Sequence, residues 1–516
     1  MLLESDLRAG SLSFVPKVMM ETNISPELGQ QEQTRGIVAL GVALLSVACI
    51  MVFAYRWGGV VASAAMVFNL LIIAATFQGL MATISLATLA GFVLTLGMAV
   101  DANVLVFERI RKELQSGKKL LHAVPTGYKK SFSSIFDANI TTLLSALILF
   151  HFDSGPIKGF ATALIIGLLS SMFTALFVTQ WFFTKWCKKH PSSSLPMAPL
   201  FKDTSFGFMR KSRYAIACSC ILMALGASSF LSAGRSILGT DFTGGSSCLI
   251  PLQTQPLHNH SAANNDSAIR ELIASALRSF SVDQVRILGE GQFARVLFHP
   301  DSDSEGHPDS GEIAQALNEN GLSLSAEGYD TMKESWTSVS SRFSGTICRQ
   351  SAWGGILALG MIFLYLMFRF DISLALSAVL CLVHDVVVTL AVVGMGFTLG
   401  LPLQIDLHTV AALLTILGYS LNDTIVIFDQ LRSLPTSRTK QAEKLTPLID
   451  LILNQTLNRT LMTSVTTAAV LVVLVLLGGN VLFNFSFVML VGVITGTMSS
   501  LFIAGRLLIA LRSKIM

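Results

Sequence analysis

The sequence predicts a polytopic α-helical membrane protein: two pseudo-symmetric helical bundles of about 11 spans plus a small extracytoplasmic α+β domain. Three observations predict it. The composition is 52% hydrophobic and only 13% charged, with a mean hydropathy of +0.63, far from a soluble chain. Apolar runs recur at close to the roughly 20 residues a helix needs to cross hydrocarbon. The second half of the chain repeats the first.

The runs place spans at 36–56, 58–78, 83–107, 133–151, 158–183, 214–233, 351–369, 372–397, 405–428, 458–478 and 485–509. Basic residues orient them. Arg109, Arg111, Lys112, Lys118, Lys119, Lys129 and Lys130 separate the third and fourth spans, and Lys185, Lys188, Lys189, Lys202, Arg210, Lys211 and Arg213 separate the fifth and sixth. Arg432, Arg438, Lys440 and Lys444 follow the ninth, and Arg512 and Lys514 follow the last. Short loops such as FQGLMAT and GLPLQI carry none, so the positive-inside rule makes the basic loops and the C-terminus cytoplasmic. Residues 1–35 and 234–350 then lie outside. An external tail with neither a signal peptide nor a preceding span implies an upstream helix and an exported part beyond this chain.

The repeat is gap-free in two blocks. FDANITTLLSALILFHFDSGPIKGFATALIIGLLSSMF, from 136, lies on LMTSVTTAAVLVVLVLLGGNVLFNFSFVMLVGVITGTMSS, from 461. This pairs Thr141 and Thr142 with Thr466 and Thr467, Phe160 with Phe485, and Gly167 with Gly492. Upstream, GMAVDANVLVFERIR from 97 lies on GYSLNDTIVIFDQLR from 418, and FAYRWG resembles MFRFDI. Two bundles of one orientation follow, related by an axis along the membrane normal, and transporters place coupling sites where such halves meet.

The segment 234–350 is soluble in composition. LGTDFTGGSSCLIPL reads as a strand-like run with a Gly-Gly turn, VDQVRILG and FARVLF as strands, and AIRELIASALRSF and EIAQALNENG as helices, the latter ending at Gly321. PLQTQPLHNHSAANNDS and HPDSDSEGHPDSG read as polar loops whose His258, His260 and His307 lack metal-ligand spacing. The seven cysteines show no metal or redox motif. Cys248 and Cys348, both in or beside this segment, are expected to be unlinked thiols. The formal charge of +4 sits in cytoplasmic loops and points to no nucleic-acid partner.

Ionisable groups inside apolar runs carry the functional signal. Asp101, Asp137, His384, Asp385, Asp423 and Arg459 all lie within or beside predicted spans. Charge at bilayer depth is costly, so it faces a bundle interior and takes part in transport or relays, or else forms structural pairs. Asp101 falls on Asn422 in the repeat, next to Asp423. Arg459 keeps its proton and is a fixed charge against which Asp423 can be switched. His384 and Asp385 either stabilise Arg459 or extend a relay. Asp406 and His408 form a proton entrance or a solvated helix start. The threonine pairs either line the path or bond to helix carbonyls.

GMAVDANVLVFERIRKEL, FDANITTLLSALILF and GPIKGFATALIIGLLSSMFTALF resemble the membrane half of SecD, and LGTDFTGG, HDVVVTLAVVG, ILGYSLNDTIVIFDQLR and NQTLNRTLMTSVTT resemble SecF. The chain is similar to a SecD–SecF fusion, the SecDF protein-export family of the resistance-nodulation-division superfamily, without the first helix and large external head of the SecD part. On this resemblance residues 1–35 are the tail of the head region and 36–190 a SecD-like five-helix bundle. Residues 191–213 are a cytoplasmic linker, 214–233 the first SecF-like helix, 234–350 a SecF-like extracytoplasmic domain, and 351–516 a SecF-like five-helix bundle. The resemblance implies an accessory subunit of the Sec translocase in the bacterial cytoplasmic membrane. It would work beside the SecYEG channel and SecA on a translocating unfolded polypeptide, using the proton gradient, or sodium in some members, in the late outward stage. Asp101, Asp423 and Arg459 match the family's proton pathway, and Asn103, Asp137, Asn139, His384, Asp385 and Asn422 are supporting polar groups. No cofactor is implied. A proton-coupled efflux transporter of lipids or small molecules is the alternative reading. No GxxxxGK[ST] stretch occurs, so bond-breaking catalysis is not expected.

Overall fold

The computed structural model describes residues 20–22, 26–151, 155–190, 195, 205–252, 262–280, 282–288, 293–298, 310–320, 328–329, 332, 335–432 and 442–515. They divide into two compact units, one of residues 1–30 with 234–351 and one of residues 31–233 with 352–516. His258, His260, His307 and Gly321 lie outside the described residues.

The larger unit is helical. In its first half are α1 (Pro26–Tyr55), α2 (Trp57–Gly79), α3 (Leu86–Gln115), α4 (Leu120–Phe150), α5 (Gly155–Phe173) and α6 (Thr179–Lys189). After α7 (Phe208–Ala233) the second half contains α11 (Ser341–Arg369), α12 (Ile372–Thr398), α13 (Leu407–Arg432), α14 (Ala442–Leu477), α15 (Gly479–Phe502) and α16 (Ala504–Ile515). Among the described residues 11 helices are long and apolar enough to cross a membrane, and the chain is a multi-pass membrane protein. Several helices overrun their predicted spans. α14 starts at Ala442 rather than 458, because its first turns are amphipathic and fail a hydropathy criterion. α3 and α4 run toward each other until only 116–119 separates them, so most basic residues read as loop are on helix ends. Glu113 holds that hairpin together, pairing with Lys118 at 2.5 Å and Lys130 at 2.6 Å.

Packing follows the repeat. α3 lies against α5 as α13 lies against α15, and across the halves α3 meets α14 as α13 meets α4. α3 and α13 are the central helices, with 94% and 83% of their apolar windows buried, whereas α7 has 6% and is peripheral. The crossings rest on small residues, as membrane helix contacts do. Gly97 of α3 touches Thr467 of α14, and its repeat partner Gly418 of α13 touches Thr142 of α4. Gly167 of α5 faces Thr95 of α3 just as Gly492 of α15 faces Ile416 of α13.

The smaller unit is a five-stranded antiparallel sheet in the order β1-β5-β2-β4-β3. Its strands are β1 (Met20–Thr22), β2 (Gly245–Pro251), β3 (Val282–Leu288), β4 (Phe293–Phe298) and β5 (Thr337–Val339). Helices α8 (Thr240–Thr243), α9 (Ala262–Ala276) and α10 (Ser310–Glu319) complete it. Alternation on β2 and β4 buries Cys248, Ile250, Val296 and Phe298 against Ile273 of α9 and Ile313 of α10. Two readings are corrected here and two strands are added. The strand-like run before the Gly-Gly turn is the single helical turn α8, ended by Gly244 and Gly245 at positive φ. α9 begins inside the polar stretch read as loop. β1 and β5 were not foreseen, because three residues are too few to show alternation. All seven cysteines are free. Burial pushes the Cys248 thiol up to about 12, so it stays protonated and packs as a small apolar group.

The Gly–Thr crossings make a prediction. A methyl group at Gly418 would lie 2.6 Å from the Thr142 Cα, whereas one at Gly41 would meet nothing within 4 Å. Gly418→Ala is expected to destabilise the bundle by about 1–3 kcal/mol, and Gly41→Ala to leave it unchanged, in thermal unfolding of the detergent-solubilised protein.

Candidate functional site

One helical turn beyond the two glycine crossings, α3 and α13 present Asp101 and Asn422 to each other. The Gly97 and Gly418 contacts bring the helices close enough for Asn422 Nδ2 to donate to Asp101 Oδ2 at 3.1 Å. Phe160 and Phe485, also repeat partners, meet edge to face at 5.0 Å. Residues related by a two-fold rotation touch each other only at its axis, so these two pairs mark the axis between the halves.

Arg459 of α14 enters this junction and donates through Nη2 to Asp101 Oδ1 at 3.3 Å. It is 5% exposed, and its Nε and Nη1 have no partner. Asp423 is buried beside Asn422 and lies close enough to Arg459 and Asp101 to feel both charges. The arginine's ion-pair partner in this structure is therefore Asp101 of the other half, with Asp423 as a second acid in reach. A cavity of about 10 Å³ opens here, lined by Asp101, Ser134, Asn139, Thr142, Asn422 and Arg459, with room for about one water. Asn422 Oδ1 and Asn103 Oδ1 are also buried without partners. Desolvating each ion costs several kcal/mol, while the attraction at about 4 Å is roughly 4 kcal/mol at an effective dielectric of 20. Such a pair adds little net stability over an apolar contact of the same size.

Of the other predicted groups, only some lie at this junction. Asn139 donates to the Ile135 carbonyl at 2.8 Å and lines the cavity, and Asn103 donates to the Ala99 carbonyl at 3.3 Å. Asp385 bonds to Ser420 of α13 and to His384 beside it, whereas the ion-pair partner of Arg459 is Asp101. Thr141, Thr142 and Thr466 bond to carbonyls of their own helices. Thr467 accepts from the Tyr419 hydroxyl at 3.0 Å. Asp406 caps α13, accepting from the Thr409 N–H at 2.8 Å. His408 lines a second cavity beside Phe160 and Phe485.

Asp137, expected as a supporting polar group, belongs to a second cross-half network whose partners the sequence does not reveal. Its carboxylate accepts from Arg369 Nε of α11 at 2.5 Å and from the Tyr365 hydroxyl at 2.8 Å. Arg369 also donates to Ser133 Oγ at 2.6 Å and lies 3.6 Å from Asp429 of α13. Ser134, which lines the Asp101 cavity, donates to Asp429 at 3.2 Å. In the sequence Arg369 looks like an ordinary basic flank. The available signal was the repeat itself, which aligns Asp429 with Glu108, an acid likewise engaged at the end of α1 by Tyr55 at 3.0 Å.

The family description "Protein export membrane protein SecD/SecF, C-terminal" matches residues 11–189 and 322–514, one stretch in each half. The chain belongs to this SecD/SecF protein-export family. It is 35% identical over 508 residues to the protein translocase subunit SecDF of Brucella abortus, covering 98% of this chain and 64% of that protein. It is 33% identical to the SecDF subunit of Thermus thermophilus, covering 98% and 66%. The crystal structure of SecDF from Thermus thermophilus superposes with a TM-score of 0.81 at 32% identity, over 98% of this chain and 66% of that one. The chain thus spans about two thirds of the length of these SecDF relatives. It resembles a SecDF fusion, with SecD-like and SecF-like halves in one polypeptide.

Two mutational outcomes are expected. Arg459→Met and Asp101→Asn each orphan a buried group and should cost about 3–5 kcal/mol, while the double variant should cost less than the sum, as a thermal-unfolding cycle would measure. Arg369→Asp and Asp137→Arg should each lower stability by about 1.5–3 kcal/mol, and the double swap should recover part of the loss.

Proposed function

We propose that this chain is the membrane engine of a SecDF-type accessory subunit of the bacterial Sec translocase. Entry of a proton from outside moves the two halves against each other and promotes the late, outward stage of polypeptide translocation. The observation that carries the reading is the Arg459–Asp101–Asn422 junction on the axis between the halves, with a second acid and a small polar cavity beside it.

The chemistry is direct. A proton on Asp101 removes the charge that holds Arg459 to the opposite half. Arg459 cannot release its own proton, so it turns to Asp423, and α14 shifts against α3. Ser134 links the cavity to Asp429 and thus to Arg369 and Asp137, so the same movement loads the second cross-half network. One charge crossing 100 mV gains roughly 2.3 kcal/mol, which biases a two-state equilibrium by tens of fold at about 1.4 kcal/mol per decade. The ion in this reading is a proton, which removes the charge of the carboxylate it binds; sodium, the other ion the resemblance implies, would neutralise the same carboxylate without a covalent bond. SecYEG, SecA and the emerging unfolded chain are the partners, and the basic helix ends and C-terminus are cytoplasmic.

In vesicles bearing the translocase and the complete SecDF system, Asp101→Asn and Asp423→Asn are each compared with the wild type at equal amounts of folded protein. Export should fall to the level seen when the proton gradient is collapsed. Export that keeps its full response to the gradient in both variants would exclude the reading.

A further inference from the structure

A second buried acid lies on α12. Asp385 is fully buried, at 0% exposure. Its Oδ2 accepts from Ser420 Oγ of α13 at 2.5 Å, and its Oδ1 faces His384 Nδ1 at 3.1 Å. His384 Nε2 is buried without a partner. Gly496 of α15 closes over the hydroxyl, since a Cβ there would come 2.8 Å from Ser420 Oγ. A carboxylate with one hydroxyl donor in such surroundings needs a proton or a cation. A proton shared by His384 Nδ1 and Asp385 Oδ1 satisfies it as imidazolium–carboxylate or as imidazole–carboxylic acid, each hydrogen-bonded.

Few other charges reach this pair. The helices packed on α12 are α7, α13, α15 and α16. α15 has no ionisable side chain, and α7 has Arg210, Lys211 and Arg213 in its first two turns and only Tyr214, Cys218 and Cys220 beyond them. α16 contributes Arg506, Arg512 and Lys514. Arg512 is spent on Asp371 and Ser373, about 16 Å along α12 from His384 at 1.5 Å per residue. α13 contributes His408, Tyr419, Asp423, Asp429 and, in its last turn, Arg432, which donates to the Arg369 carbonyl. Cys381, one turn away on α12 itself, is a buried thiol. Asp423 stands one turn from Ser420 on the same helix, which places the dyad beside the helix carrying the cross-half junction. The first half has no counterpart: Ala99 occupies the position of Ser420 in the repeat, and α2 contains no ionisable residue.

We infer that His384, Asp385 and Ser420 form a second proton-binding site, present in the second half alone, which holds one exchangeable proton between the imidazole and the carboxylate. The site stands apart from the export reading: translocation can be proton-driven with His384 inert, and His384 can titrate in a protein that drives nothing.

The test is solid-state NMR of the whole chain with ¹⁵N-labelled histidine in phosphatidylethanolamine–phosphatidylglycerol vesicles. The His384 signals among the nine histidines are assigned by their loss in His384→Gln. The His384 Nδ1 is expected to carry a proton that exchanges with solvent deuterium and is hydrogen-bonded to an oxygen of the Asp385 carboxyl group, seen as a ¹⁵N–¹³C correlation in protein also labelled at aspartate. Asp385→Asn should remove that correlation. An Nδ1 without a proton, a proton that never exchanges, or an Nδ1 signal unaltered in Asp385→Asn would overturn the inference. The wild-type exchange decides even where Asp385→Asn fails to assemble.

Discussion

A permanent positive charge buried at the seam between two helical bundles is the constraint on which the rest depends. Arg459 cannot neutralise itself and is almost wholly cut off from bulk water, so the seam must supply negative charge. Asp101 does so from the opposite half, across 3.3 Å. The halves are therefore joined by a bond whose strength depends on whether one carboxyl carries a proton. Hydrophobic packing gives no such dependence, because in lipid it does not discriminate between neighbouring arrangements of apolar helices.

The near-symmetry of the bundles sets where this bond can be. Two copies of one helical pattern, crossing at Gly97 against Thr467 and at Gly418 against Thr142, bring equivalent residues together only along the axis. An acid at one position and an amide at its equivalent give Asp101 and Asn422 a hydrogen bond in place of two repelling carboxylates. The asymmetry matters as much. Arg459 falls on Ser134 in the repeat, and Ser134 uses its hydroxyl to contact Asp429. One copy supplies the cation and the other a hydrogen bond into the Arg369 network, so the two ends of the seam differ.

Much of this could be read before any coordinates. Apolar runs locate the membrane helices because length and hydropathy are local properties. The repeat predicted that Asp101 and Asn422 would be equivalent, although it could not say that they touch. The Arg369–Asp137 pair was hidden because a basic residue closing an apolar run is what any cytoplasmic flank looks like, and its partner comes from a helix more than 200 residues away in sequence. The early start of α14 and the strands β1 and β5 escaped for the opposite reason: amphipathic turns and three-residue strands carry too little periodic signal. His384 and Asp385 could be recognised as polar groups out of place, but their partner Ser420 followed only from the packing of α12 on α13.

If the charge on Asp101 is what holds the halves in register, neutralising it must change their spacing. Spin labels at the cytoplasmic ends of α3 and α14, read by pulsed dipolar spectroscopy in vesicles, measure this directly. The account predicts that the distance distribution of the wild type at low pH matches that of Asp101→Asn at high pH, and that both differ from the wild type at high pH. Distributions that coincide under all these conditions would contradict it.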